Sequence, residues 1–255
     1  VSPLGAVGLL PLAGLPLVRP GDDLAELIAR ALAGAGLTLQ AGDVLVVAQK
    51  VVSKAEGRLV DLRTVRPSAR ARALAAQVGK DPRLVEVILG QTSQVVRAVP
   101  GVLIVETKAG FVCANAGVDH SNVGSDPDWV ALLPADADAS ARALRAALRA
   151  RTGVELAVII NDSHGRAWRQ GAVGVAIGAA GIAAVADLRG QPDLFGRPLR
   201  VTTVGLIDEL SAAASLVMGQ ADEGRPAVLV RGLAYRRSDA GARAIQRSLA
   251  VDLFR

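Results

Sequence analysis

The sequence predicts an α+β or mixed α/β fold, built as two intimately packed subdomains and unlike a Rossmann or P-loop fold. Three observations predict it. Hydrophobic residues make up 51% of the 255 positions, enough to bury a sizeable core. Strand-like apolar runs and amphipathic helical stretches mix without the strict β–α–β beat of a doubly wound sheet. The chain also lacks a GxxxxGK[ST] phosphate loop. It has no low-complexity tract, internal repeat or Pro/Ser-rich linker, and the Gly-rich turns around 117–124 are the expected subdomain boundary.

Residues 1–18 are apolar, but they carry no Lys or Arg and are interrupted by Pro3, Pro11 and Pro16. They read as a buried strand or extended arm, not a targeting peptide. Asp23 and Glu26 have capping-box spacing, Leu24, Leu27, Ile28 and Leu32 share a face, and Gly34 and Gly36 end that helix. A short buried strand is expected at 44–47, with the polar segment 49–57 leaving its end. Ser68 caps a helix over 68–79. Asp81, Pro82 and the stop at Gly90 frame another over 82–89. Strands follow at 94–98 and 102–107, and the turn at 108–110 makes a hairpin with 111–114. A long loop runs over 115–134 and a helix over 138–151. Strand 156–160 delivers a polar loop, 161–170. Gly-punctuated strands fill 171–186, a strand lies at 200–204, and a helix over 207–218 ends at Gly219. A strand at 228–231 and a helix over 238–249 complete the pattern.

Charge and composition narrow the function. The balance of 29 basic to 24 acidic residues, +5, is small and dispersed, and suits anionic small substrates better than nucleic acid. Aromatics are 2%, so stacking platforms for single strands are scarce and Ala, Val, Leu and Ile must form the core. No uninterrupted apolar stretch is long enough for a membrane helix. The single cysteine, Cys113, lies in an apolar run and reads as inert core; it permits no intrachain disulfide, as befits the cytoplasm.

Four segments carry chemistry. NAGVDHSNVG (115–124) places Asp119, His120, Ser121 and Asn122 between glycines, where a carboxylate and an amide can hold a cation and a phosphate or sugar. NDSHGRAWRQ (161–170) offers Asp162 and Ser163 as hard oxygen ligands and Arg166 and Arg169 as donors to phosphate or carboxylate. QKVVSKAEG (49–57) presents Gln49, Lys50, Ser53 and Lys54 just beyond a strand. The helix from Asp208 ends in a polar loop with Gly219, Gln220 and Glu223, of which Glu223 is a candidate metal ligand. Each segment alone also reads plainly: a Gly/Asn turn, a solvated loop with a packing Trp168, an exposed basic turn, a helix C-cap. The residues by themselves describe an enzyme whose loops bind a metal and an anion, and leave the reaction class open.

Together the segments resemble one family, the coenzyme F-420-0:L-glutamate ligases. The strings are GLPLVRPGDDL at 14–24, VVSKAEGR at 51–58, CANAGVDHSNVG at 113–124, NDSHGRAWRQG at 161–171 and DELSAAASLVMGQADEGRPAVLVRG at 208–232. The likeness spans nearly the whole chain and looks like the actinobacterial form, in which this domain precedes a nitroreductase-like domain that these residues do not include. It implies GTP-dependent phosphorylation of a carboxylate of the deazaflavin precursor, attack by the glutamate amine on the acyl phosphate, and in some members further γ-linked glutamates. It also implies magnesium or manganese, help from potassium, and a homodimer. By motif, Asp119 and Asp162 resemble ligands of one metal, Ser163 stands where relatives have Thr, and Asn122 resembles a guanine-nucleotide contact. Gly14, Leu15, Pro16 and Leu17 resemble a segment lying along the nucleotide, and Lys54 a nucleotide-contacting lysine. Gln49 stands where relatives carry Ser or Thr. The loop 219–226 resembles a further nucleotide and metal segment. Two other readings remain: a nucleotide-dependent ligase of the same fold acting on another acid or a metal-dependent phosphohydrolase, and a nucleotide- or deazaflavin-binding module without turnover.

Overall fold

The computed structural model describes residues 5–252. The expected α+β character is observed. The central sheet has the order β1 (Gly8–Leu12), β12 (Ala227–Arg231), β2 (Val44–Ala48), β8 (Ala157–Arg166), β9 (Arg169–Ala180). Only the β2–β8 pair is parallel; the others run antiparallel. The short runs VLVVA and AVLVR are buried almost throughout because both sheet faces are covered.

On one face lie α1 (Leu24–Gly34) and α5 (Ala137–Thr152), whose Ile28, Leu32, Leu144 and Leu148 pack on Leu45, Val47, Val158 and Ile160. On the other lies α6 (Leu206–Met218), where Ile207, Leu210 and Ala214 meet Val44, Val46, Ala157 and Ile159. The alternation of strand side chains divides the two cores. Glycines of β9 let both helices approach. A Cβ on Gly174 would stand 2.3 Å from Ser211 O of α6, and one on Gly178 would stand 2.3 Å from Ala137 O of α5. The helix caps follow the sequence: Asp23 accepts from Glu26 N, Ser68 from Ala71 N, Asp81 from Arg83 N and Asp136 from Ala139 N.

A second body is inserted between β2's helix and α5. It contains β3 (Leu59–Asp61), α3 (Ala69–Val78), α4 (Pro82–Gln91), the sheet of β4 (Thr92–Val99), β5 (Val102–Thr107) and β6 (Val112–Ala114), and β7 (Trp129–Ala131) paired with β3. Its core gathers Leu62, Val85, Ile88, Leu103, Val105 and Leu132. Ala116 and Val118 belong to that same core, while Asp119, Ser121 and Asn122 contact Lys50 and Ala221 beside the central sheet.

Several expected elements differ. Segment 49–57 is largely the helix α2 (Gln49–Ala55). The stretch 161–170 is not a loop after a strand: β8 continues to Arg166 and turns at Ala167 and Trp168 into β9, with Asp162 opposite Val175. The ladder persists although residues 165–172 are exposed, because backbone pairing does not need a buried face. The 115–134 loop contains a short 3-10 turn and β7. Of 171–186, β9 ends at Ala180 and only Ala186–Asp187 (β10) forms a further strand, while 200–204 shrinks to Thr203–Val204 (β11). The helix expected at 238–249 is replaced by two 3-10 turns, Ala242–Ile245 and Leu249–Val251. Gly241 has φ 76, and the buried Asp138 carboxylate takes the Ala242 N–H, which together stop an α-helix from passing through. The arm expected at 1–18 contains β1, and its first four residues lie outside the described ones.

Candidate active site

The site begins with one row of the central sheet. Leu12 pairs with Ala227, Ala227 with Val47, and Val47 with Ile160. At this row β1 leaves toward Gly14–Leu17, and the loop 219–226 enters β12. Here too β2 passes into Gln49 and Lys50, and β8 runs on into Asn161, Asp162 and Ser163. Four segments distant in sequence therefore open at one end of one sheet. Ala48 N donates to Pro226 O at 2.8 Å and fixes two of them together.

The inserted body brings the fifth segment. Lys50, in the first turn of α2, donates to Asp119 Oδ2 at 2.6 Å, to Ser121 Oγ at 2.7 Å and to Ser121 O at 2.5 Å. Ser121 in turn donates through N and Oγ to Asp119. Burial pushes the Asp119 carboxyl up, but the Lys50 and Ser121 hydrogen bonds outweigh it and hold it below its ordinary range. Asn122, at φ 54, donates from Nδ2 to Ala221 O at 3.0 Å. Ser163 Oγ donates to Gln220 Oε1 at 2.7 Å. The turn after Asp119 and the stretch of β8 that carries Asp162 and Ser163 thus close on the consecutive residues Gln220 and Ala221.

Alternation along β8 separates Asp162 from Ser163. Asp162 shares a face with His164, whose Nε2 lies 3.0 Å from Asp162 Oδ2. Ser163 faces the side of α6, as does Asn161, whose Nδ2 donates to Ser215 Oγ. Asp162 also lies close enough to Cys113, in β6, for its charge to act there. Burial first, and Asp162 second, push the Cys113 thiol up to about 12. Behind α6's first turn, burial raises the Asp208 carboxyl although Ala176 N donates to it.

The remaining expected residues are placed as follows. Gly14, Pro16 and Leu17 are exposed just beyond β1, and Leu15 packs partly on the core. Gln49 is buried and accepts from Ser53 Oγ at 2.9 Å, so its side chain is engaged inside α2. Lys54 is one turn farther along α2 than Lys50; burial and the Lys50 charge lower its pKa. Glu223 folds back on its own loop: it accepts from Ala221 N at 2.8 Å and crowds Gly219, where a Cβ would stand 2.1 Å from its carboxyl carbon. Arg166 and Arg169 are exposed at the end of the β8–β9 hairpin, Arg166 about 13 Å of strand beyond Asp162. Trp168 stands at that tip, 85% exposed with φ 59. The residues that sequence reading did not assign are Lys50 as the partner of Asp119 and His164 as the partner of Asp162. The spacing Asp-x-His, which puts both side chains on one strand face, is the signal for the second.

The donor set fits a hard cation. Around the Lys50 ammonium, three oxygens already converge on one positive charge. Asp119, Asp162, Ser163 and Gln220 supply the oxygen chemistry magnesium or manganese prefers. Among the described residues no group of three or more His, Cys, Asp or Glu is assembled. Each carboxylate instead has its own partner, Lys50 or His164, and Ser163 and Glu223 are engaged in the hydrogen bonds above.

Comparison with known proteins identifies the family. The family model described as F420-0:Gamma-glutamyl ligase matches residues 14–232, which contain every segment of the site. The coenzyme F420:L-glutamate ligase of Methanothermobacter thermautotrophicus is 49% identical over 98% of this chain and 99% of its own length. That of Methanopyrus kandleri is 51% identical over 99% and 100%, and that of Archaeoglobus fulgidus 45% over 89% and 88%. With the match running over residues 14–232, from the segment after β1 through the inserted body to the end of β12, the chain belongs to the F420-0:gamma-glutamyl ligase family.

Proposed function

We propose that this chain joins L-glutamate, through an amide bond, to a carboxylate of the coenzyme F420 precursor, using GTP and an acyl-phosphate intermediate. The observation that carries the proposal is the closure of the Asp119–Asn122 loop and the Asp162–Ser163 strand on Gln220 and Ala221, at the end of the sheet where Gly14–Leu17 and Lys50 also arrive. A phosphoryl-transfer site needs such an arrangement, because a carboxylate and an amine do not condense unaided in water.

In this reading the γ-phosphoryl group of GTP passes to a carboxylate oxygen of the precursor, and GDP leaves. The glutamate nitrogen then attacks the carbonyl carbon, the phosphate departs with that oxygen, and the amine gives up a proton. Asp119 and Asp162 would hold magnesium or manganese, which when bound would neutralise charge on the phosphates. Lys50 offers a positive charge beside Asp119 where phosphate charge builds. His164 holds Asp162 in position on the face of β8 away from α6. Asn122 and the 219–226 loop, with Gly14–Leu17, form the nucleotide cradle, and Lys54 adds charge to it. Arg166 and Arg169 reach the substrate's carboxylate or phosphates only if the hairpin tip folds over the site. Potassium assistance, a homodimer, a cytoplasmic location and further γ-linked glutamates complete the proposal; no helix among the described residues is long and apolar enough to cross a membrane.

The test is GDP release measured with each substrate omitted in turn. GDP that appears only when both the deazaflavin acid and glutamate are present supports a ligase. GDP formed equally without the acid indicates a phosphohydrolase, and no turnover with nucleotide bound indicates a binding module.

A further inference from the structure

A cavity of about 190 Å³ lies between the inserted body and the N-terminus of α5. Its wall carries three cations from three parts of the chain: Arg58 after α2, Lys108 in the β5–β6 turn, and Arg243 in the 3-10 turn that replaces the expected last helix. Among the described residues none of the three forms an ion pair with a carboxylate. Arg58 is held in place through neutral acceptors, Leu133 O at 3.1 Å and Gln91 Oε1 at 3.2 Å. The first turn of α5 lines the same cavity, with its N-terminus capped by Asp136, so the three side-chain cations are what favours an anion there.

The cavity also carries two acids that are already engaged. Asp138 Oδ1 accepts from Ala179 N and Ala242 N, and Asp136 Oδ1 accepts from Ala139 N. Asp136 Oδ2 also lies 4.0 Å from Arg142, whereas Asp138 has no ion-pair partner among the described residues, so its charge is the freer of the two to face an ammonium group. The size is well below the roughly 300–1,000 Å³ of pockets for drug-sized ligands, so a fused-ring cofactor or a nucleotide does not fit. A small molecule with carboxylates and an ammonium does. Phe111, in the cavity wall, packs edge-on against His164 at 6.5 Å, and His164 holds Asp162. The cavity and the candidate active site thus share a wall.

We infer that this cavity binds the amino-acid substrate, L-glutamate, with Arg58, Lys108 and Arg243 facing its carboxylates and Asp136 and Asp138 its amine. The inference rests on the proposed ligase function and names the subsite of one of its substrates. Lys108 and Arg243 are exposed, so their removal leaves the core intact.

The experiment compares the full chain with Lys108→Ala, Arg243→Ala and the double variant in ligation assays, varying glutamate, the deazaflavin acid and GTP separately. Losing charge-assisted hydrogen bonds predicts a rise in KM for glutamate of about tenfold or more in the double variant. KM for the other two substrates and Tm are expected to stay close to wild type, and Arg243→Lys to recover most of the affinity. In an active enzyme, an unchanged KM for glutamate overturns the assignment, as does a rise confined to the deazaflavin acid, which places that substrate's carboxylate in the cavity. A wild-type chain that forms no glutamylated product overturns the functional reading and the glutamate assignment with it.

Discussion

Lys50 Nζ lies 2.6 Å from Asp119 Oδ2, a contact that joins the central sheet to the inserted body across 69 residues of sequence. The pair is only partly shielded, since the Asp119 side chain is 43% exposed. Its importance lies in position: Lys50 leaves the end of β2, and Asp119 leads into the turn that reaches Ala221.

Lys50→Met is expected to lower ligation turnover by about tenfold or more, as loss of a charge that stabilises a developing anion does. It also alters acid stability. The folded-state pKa of Asp119 is lowered, so the stability it contributes is complete above its ordinary value, near 4, and is lost as pH falls through the folded value. Without the ammonium that lowering shrinks. The difference in Tm between wild type and variant should therefore be larger at pH 7 than at pH 3. An equal difference at both pH values contradicts the pairing.

Asp162→Asn keeps the volume of the side chain and its place between β8 and β6, but removes the charge. Ligation is expected to fall by at least about a hundredfold, with a cooperative melt near that of wild type. Chelation of divalent ions should abolish wild-type ligation, and magnesium or manganese should restore it. Near-normal turnover of the variant at low metal concentration contradicts the role given to Asp162.

Cys113 is buried, and its thiol is raised to about 12. Alkylation by iodoacetamide at pH 8 is expected to be negligible in the native chain and complete after unfolding, because the thiolate is the nucleophile. Rapid native labelling, counted by mass, contradicts the burial of β6 against β8.

Gly178→Ala tests the close approach of α5 to β9. The added methyl meets Ala137 O at 2.3 Å, and backbone on both sides leaves little room to relax. A cost of about 1–3 kcal/mol follows from overpacking, seen as a Tm lower by several degrees. An unchanged Tm means that the helix sits farther from the strand.

The helices were largely legible because their ends carry local signals, as at Asp23, Ser68 and Asp81. The path of β8 beyond residue 160 was not. From residue 165 to 172 the hairpin is exposed on both faces, so no alternation of apolar and polar residues marks it. The residues of the site were mostly visible as polar, Gly-flanked strings, but their grouping was not. Register across Leu12, Ala227, Val47 and Ile160 is a long-range property that no local window contains. Lys50 and Lys54 illustrate the same limit. They lie one turn apart on one helix face, and only the roughly 6 Å of rise between them decides which ammonium meets Asp119.

The most direct test of the central claim is mass spectrometry of the deazaflavin precursor after incubation with this chain, L-glutamate, a nucleotide and magnesium or manganese. With GTP the precursor should gain one glutamyl residue by amide linkage, with one GDP released per bond, and ATP should support far less product. Equal product with ATP contradicts the nucleotide assignment. GDP accumulating while the precursor keeps its mass contradicts the account of this chain as a ligase.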